Sequence, residues 1–230
     1  MALVPDLIVI ATRFRGPLTS GNGGYAAGLL AEHVDAAAVE VTLRLPPPLE
    51  RPLRVRPSGD GVVLLDADAD AVVAEAHPAW LELDPPRVTP AEAEAGRQHH
   101  VRLANEAFFE CFSCGIRPDG DGLEIHAGPV PGRDAVHATA WQAREVSGPV
   151  VWAAIDCIGA YAVGAPGRGD SVLGRMTARI ERLPRDGEEC VVVGWPLGEE
   201  GRKLFAGTAL LGADGEPLAA ARQVWVVPRT

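Results

Sequence analysis

One carboxylate in this 230-residue chain is not explained by its neighbours. Asp156 lies inside the run "VVWAAIDCIGAYAVGA", flanked by Ile155 and Cys157. Burying an unpaired carboxylate in such company is costly, so Asp156 either pairs with a cation such as Arg175 or Arg179 or is kept for chemistry. Cys157 reads as a small core residue. A second stretch, "SGNGGYAAGLLAEHV" from Ser20 to Val34, sets glycines in front of a helix-forming run. Glycines at a helix entrance either relieve crowding or leave backbone N–H groups open to a ligand. Cys111-x-x-Cys114 is a lone pair of thiols with His99, His100 and His126 nearby in sequence. A zinc site needs four converging ligands, so no metal is expected, and no βαβ context suggests thioredoxin-like redox use. The GNGG run meets neither the dinucleotide fingerprint nor the P-loop pattern.

The elements that must position these residues follow from pattern. Leu7 to Leu18 reads as a strand ending at Gly16-Pro17, and Gly24 to Val34 as a helix with Ala, Leu and Tyr on its apolar side. The strand "VEVTLRL" stops at Pro46-Pro47-Pro48 and is followed by an antiparallel meander with turns at Ser58–Gly61 and Asp66–Asp70. Residues 85–105 read as a linker with a short helix from Pro90 to Gly96 or slightly beyond. The order then recurs: strands near "GLEIHAGPV" and "AVHATAW", a helix from near Gly148, the strand "LGRMTARIERL" and a closing meander. "GVVLLDADADAVVAEA" from Gly61 overlays "GTALLGADGEPLAAAR" from Gly207, and "VTLRL" from Val41 overlays "MTARI" from Met176, which points to an internal duplication. The expected division is 1–84, a linker at 85–105, and 106–230.

A net charge of -10, from 31 acidic and 21 basic residues, disfavours nucleic acid or an anionic membrane as partner. The N-terminal stretch does not read as a signal peptide. The longest apolar run, broken by Asp156, is shorter than a membrane-spanning helix requires. Four scattered cysteines read as reduced. The expected location is the cytoplasm.

The three stretches "SGNGGYAAGLLA", "GPVVWAAIDCIGAYA" and "GRKLFAGTALLGADGEPLAAARQVWV", with "CFSCG" followed by "GLEI", resemble the hotdog-fold acyl-CoA thioesterase-like superfamily in its double-hotdog form. The resemblance covers nearly the whole chain. It implies an α+β fold of two tandem hotdog repeats, each an antiparallel sheet wrapped around a central helix, pairing within the chain. In the phenylacetate-pathway type of pattern, a His-Gly-Gly entrance precedes a helical aspartate. Here Ser147, Gly148 and Pro149 occupy the entrance and Asp156 the carboxylate position, whereas the first repeat has Asn22, Gly23, Gly24 and then Ala31. Pro149 has no N–H, so one half keeps donors and the other a carboxylate, implying one site per chain.

The resemblance implies thioester hydrolysis. Gly23 or Gly24 would donate to the carbonyl, Asp156 would act as general base or nucleophile, and Asn22 would orient water or carbonyl. Tyr25, Gly148 and Trp152 are expected at the substrate, with Arg202 and Lys203 meeting a CoA phosphate or forming a solvated strand edge. Trp141 and Trp195 read as core or acyl-pocket lining. The expected partner is an acyl-CoA or acyl-carrier thioester, with no cofactor and possible homo-oligomers. Two other readings stand: a non-catalytic acyl-binding module, and a dehydratase or hydratase using a histidine such as His33.

Overall fold

The computed structural model describes residues 6–101, 106–117, 120–165 and 171–228. The first five residues of the N-terminal stretch and residues 102–105 of the expected linker lie outside them.

Strand β1 is only Leu7–Val9, and helix α1 is Gly23–Ala31. Next come β2 (Ala38–Leu43), β3 (Pro52–Ser58), β4 (Gly61–Asp66), β5 (Ala71–Ala79) and α2 (Pro90–Gln98). The remainder holds β6 (Gly128–Pro129), β7 (His137–Gln142), α3 (Gly148–Ala154), α4 (Cys157–Ala162), β8 (Val172–Ile180), β9 (Glu189–Glu200), β10 (Lys203–Gly212) and β11 (Pro217–Val226). The eleven strands form a single sheet in the order β1-β3-β4-β5-β2-β8-β11-β10-β9-β7-β6. All neighbours are antiparallel, and β2 against β8 joins the two halves.

Period-two alternation decides which side chains face the helices. Val39 and Val41 of β2, Met176 and Ala178 of β8, Leu210 of β10 and Ala219 and Ala221 of β11 join the core shared with α1, α3 and α4. Their alternates Ala38, Ala209, Leu211 and Ala220 face the other way, into a smaller cluster with Val88 and Ala93. Helix α2 contributes Ala93 to that cover. It starts at a complete capping box between Thr89 and Glu92. The segment read as a linker thus carries a helix packed on the outer face of the sheet.

Three expectations change in detail. The strand expected over Leu7–Leu18 gives way after Val9 to a 3-10 turn at Thr12–Phe14, because the chain must fold back there: Asn22 N–H bonds Phe14 O at 2.8 Å and the Phe14 ring stacks on Tyr25 at 3.9 Å. "GLEIHAGPV" pairs as a strand only at Gly128–Pro129. Leu123 and Ile125 instead give their N–H groups to Phe112 O and Ser113 O, so this segment binds the cysteine turn and not the sheet. The helix from Gly148 breaks at Ile155–Asp156 into α3 and α4.

Helix α1 lies directly on α3. A Cβ at Gly28 would stand 2.6 Å from Pro149 Cα and 3.0 Å from Trp152 Cβ, so only glycine permits this approach. Because the obstacle is backbone, Gly28→Ala is expected to cost about 1–3 kcal/mol, read as a lower urea midpoint at unchanged slope.

Candidate active site

Asn22 caps α1: its Oδ1 accepts the Tyr25 N–H at 2.8 Å, leaving the preceding N–H groups to find acceptors elsewhere. The Gly24 N–H donates to Oδ2 of Asp156 at 3.0 Å, and the Asn22 amide donates to the same oxygen at 3.0 Å. A carboxylate from the second half therefore sits on the positive end of the first half's helix. A Cβ at Gly24 would meet Asp156 Cβ at 2.6 Å and Trp152 O at 2.7 Å, so this glycine both relieves crowding and supplies a donor. The Gly23 N–H has no acceptor among the described residues.

Asp156 reaches this position because the helix breaks beside it. At a break, carbonyls lose their helical donors and need others. Gln223 of β11, fully buried, supplies them: its Nε2 donates to Ile155 O at 2.7 Å and Asp156 O at 3.1 Å, while its Oε1 accepts the Trp225 indole N–H at 2.8 Å. Any Cβ at Gly159 would collide with that Gln223 oxygen. The sequence reading passed over Gln223. The available signal was a polar residue at an inward alternate of "AAARQVWV", in step with Ala219, Ala221 and Trp225.

Asp156 is 2% exposed, and its Oδ1 is buried without a partner among the described residues. Burial is the largest influence on its acidity and pushes its pKa up to about 7; the Gly24 N–H and the Asn22 amide pull down, and charge at Cys111 pushes up. Neither arginine expected as a structural partner touches it. Arg175 bonds Thr42 and Glu40, and Arg179 bonds Leu81 O and Glu181.

A cavity of about 350 Å³ opens at this junction. Asn22, Gly23, Asp156, Cys111 and Cys157 line its base, and Leu43, Pro46, Pro47, Leu173 and Trp225 supply apolar wall. Arg44 lines it as well, paired with Glu75 at 2.7 Å. Ser171 adds a buried Oγ without a partner among the described residues. Several expected substrate residues lie elsewhere. Tyr25 stacks with Phe14, edge-on to Phe112. Trp152 is spent on the contact with Gly28, and Gly148 opens α3 at a distance from the cavity lining. Trp141 is core, and Trp195 packs over Gly207. Arg202 and Lys203 stand one strand away, where Lys203 pairs with the cavity-lining Val226 and Arg202 bonds Val227 O. None of the six histidines lines the cavity.

No family model and no curated protein matches this sequence. Solved structures do match in shape. A hot dog fold protein of unknown function from Alicyclobacillus acidocaldarius aligns with 97% of this chain and 93% of its own, at TM-score 0.64 and 12% identity. This chain has the hotdog fold. The tesB protein of Mycobacterium avium subsp. paratuberculosis covers 100% of this chain and 91% of its own, at TM-score 0.57 and 12% identity. An acyl-CoA thioesterase II from Mycobacterium marinum covers 97% and 93%, at TM-score 0.54 and 13% identity. The likeness spans both halves of this hotdog chain, as the resemblance in sequence led one to expect.

The raised Asp156 pKa is also a statement about stability. The unfolded carboxyl ionises near 3.8 while the folded one holds its proton to about 7. Between those values the folded state carries the extra proton, so its stability is complete below about pH 4, falls as pH rises, and levels off above pH 7. The full span is up to about 4 kcal/mol. Asp156→Asn keeps an acceptor for Gly24 and Asn22 and has no proton to lose. It is therefore expected to gain on the parent progressively between pH 4 and pH 8 in urea unfolding with chelator and reductant present. A constant difference across that range rules the assignment out. Gln223→Leu, of similar volume, leaves Ile155 O and the Trp225 indole N–H without the partner they have here, while Asp156 O keeps the Gly159 N–H at 3.1 Å. It is expected to lose about 1–3 kcal/mol for each group left unpaired, measured by the same method at one pH.

Proposed function

We propose that the protein hydrolyses an acyl thioester, with the acyl group in the cavity and its carbonyl at the entrance of α1. One observation carries this reading: a buried carboxylate with one oxygen unpartnered among the described residues meets a helix N-terminus whose Gly23 N–H is likewise open among them, at the base of an apolar cavity. The carbonyl oxygen accepts from Gly23, since the Gly24 N–H is committed to Asp156. Charge developing on that oxygen is stabilised by the N–H and by the α1 dipole. Asp156 Oδ1 then either takes a proton from water as it adds to the carbonyl carbon, or adds itself to form a mixed anhydride that water opens. In both routes the thiolate leaves and takes up a proton. Asn22 holds Asp156 in place; its amide is not a proton shuttle near neutral pH. The reading uses only groups of the chain.

The carrier in this proposal is CoA, the apolar wall taking the acyl chain and the Arg202–Lys203 turn lying toward the phosphates. The same reading makes the chain a tandem pair of hotdog repeats. Overlaying Val41 on Met176 places Glu40 on Arg175 and Thr42 on Thr177. In the sheet Val41 pairs with Met176, and the pairs Glu40↔Thr177 and Thr42↔Arg175 are then images of one another. That is the register of two repeats related by a local two-fold. A dehydratase is disfavoured because no histidine lines the cavity. A binding module without turnover is favoured by one feature: Oδ2 of Asp156 is already used to hold α1.

Free-thiol release from short, medium, long and aromatic acyl-CoAs tests the proposal, with Asp156→Asn alongside and folding checked by thermal melting. Release is expected to fall roughly a hundredfold or more in the variant. Equal release from both proteins, or none from any substrate, overturns it; tight acyl-CoA binding without release assigns the binding module. Lys203→Glu is expected to raise KM several-fold at low salt with kcat unchanged, an effect that fades as salt is added.

A further inference from the structure

The fold assembles a group of thiols to which the proposed hydrolysis gives no chemical step, although two of them, Cys111 and Cys157, line the base of the cavity. Cys111 and Cys114 bracket the turn Cys111-Phe112-Ser113-Cys114-Gly115, and Cys157 opens α4 from the other side. The three Sγ atoms lie within 4.8 Å of one another, and Cys111 Sγ is 3.7 Å from Cys157 Sγ. No pair is bonded; a disulfide would bring two sulfurs to about 2.05 Å. The observed spacing matches another bond. Two thiolates on one tetrahedral zinc ion, each at about 2.3 Å, stand about 3.8 Å apart.

The turn is built to hold its sulfurs. The Gly115 N–H bonds Cys111 O at 2.8 Å, and a Cβ at Gly115 would stand 2.6 Å from that oxygen. Phe112 N–H bonds Arg15 O at 2.7 Å and Ser113 O accepts from Ile125 at 2.9 Å, so both flanks of the turn are fastened. Cys111 and Cys114 are buried and Tyr161 packs over the trio. The Asn22 amide reaches two of the sulfurs, at 3.7 Å from Cys111 Sγ and 4.0 Å from Cys157 Sγ. Such outer donors orient and tune metal-bound thiolates.

We propose that Cys111, Cys114 and Cys157 form a binding site for one thiophilic d10 metal ion, zinc(II) or copper(I). Three thiolates without a further His, Cys, Asp or Glu among the described residues fit two coordination modes. Copper(I) takes three sulfurs, and zinc(II) takes three protein ligands with water completing the tetrahedron. The ion ties the cysteine turn to the start of α4, and through Asn22 it adjoins the carboxylate of Asp156. The sequence offered only the lone CxxC; the third ligand, Cys157, comes from the helix break.

The test uses the full chain, stripped with chelator under reductant, given one equivalent of zinc(II) or copper(I), desalted, and weighed by native mass spectrometry. One retained ion per chain is expected, with a raised melting temperature. Cys111→Ser and Cys157→Ser should each weaken retention at least about tenfold, whereas Cys190→Ser, away from the trio, should leave it unchanged. Should a serine variant fail to fold, cobalt(II) added to the parent protein must give thiolate charge-transfer and tetrahedral visible bands. No retained ion, retention indifferent to the serine changes, or a two-hydrogen mass loss in place of an ion overturns the proposal. None of these readouts depends on thioester hydrolysis.

Discussion

Everything around the candidate site follows from one contact, the carboxylate of Asp156 held against the first turn of α1. A carboxylate taken out of water needs donors of its own, and the first-turn N–H groups that the Asn22 cap leaves over need acceptors; each answers the other. Their meeting sets hard conditions on the chain. The helix carrying Asp156 must break there, because a continuous helix would direct the side chain elsewhere. The break frees carbonyls, and Gln223 takes them up. Gln223 in turn requires a glycine at 159, and the approach of the two helices requires glycines at 24 and 28. Residues distant in sequence are thus bound into a single arrangement by polar groups that must not be left unpaired.

The arrangement is asymmetric although the sheet on which it rests runs through a similar succession of strands on either side of the β2–β8 pair. The carboxylate comes from one half and its donors from the other. Ser147 caps α3 with its own hydroxyl, accepting from Val150 at 3.4 Å, and Pro149 removes a donor, so the second helix start makes no matching demand. Ala31, as far beyond Asn22 in sequence as Asp156 is beyond Ser147, brings no charge to it. The contact of Asp156 with α1 is one of several charged links between the two halves, beside Arg175–Glu40 and Arg13–Glu145, and the cavity opens next to it.

The acidity of Asp156 reflects a balance that geometry has left incomplete. Among the described residues two donors serve one oxygen and none serves the other, so burial outweighs hydrogen bonding and the carboxyl titrates near neutrality. A third donor would make the site more stable and less basic.

Much of the fold was legible in the sequence, since alternation, turn residues and the recurrence of like segments are local in origin. The strands of the two meanders, the helix over 90–98, the helix behind the glycines and the unusual standing of Asp156 all follow from such signals. The failures share a cause. The strand expected over Leu7–Leu18 ended early because Phe14 had to turn onto Tyr25, and "GLEIHAGPV" left the sheet because the cysteine turn offered its backbone a partner. Tyr25 and Trp152 lie on the expected helices, Tyr25 stacked on Phe14 and Trp152 packed against Gly28. The sequence by itself determined most of the element types and singled out Asp156 as a carboxylate set among apolar neighbours. Tertiary structure alone decided that Gly24 donates to Asp156, that Gln223 holds the break, and that Cys157 joins Cys111 and Cys114. Each of these depends on distances between segments remote in the chain, which no local pattern encodes.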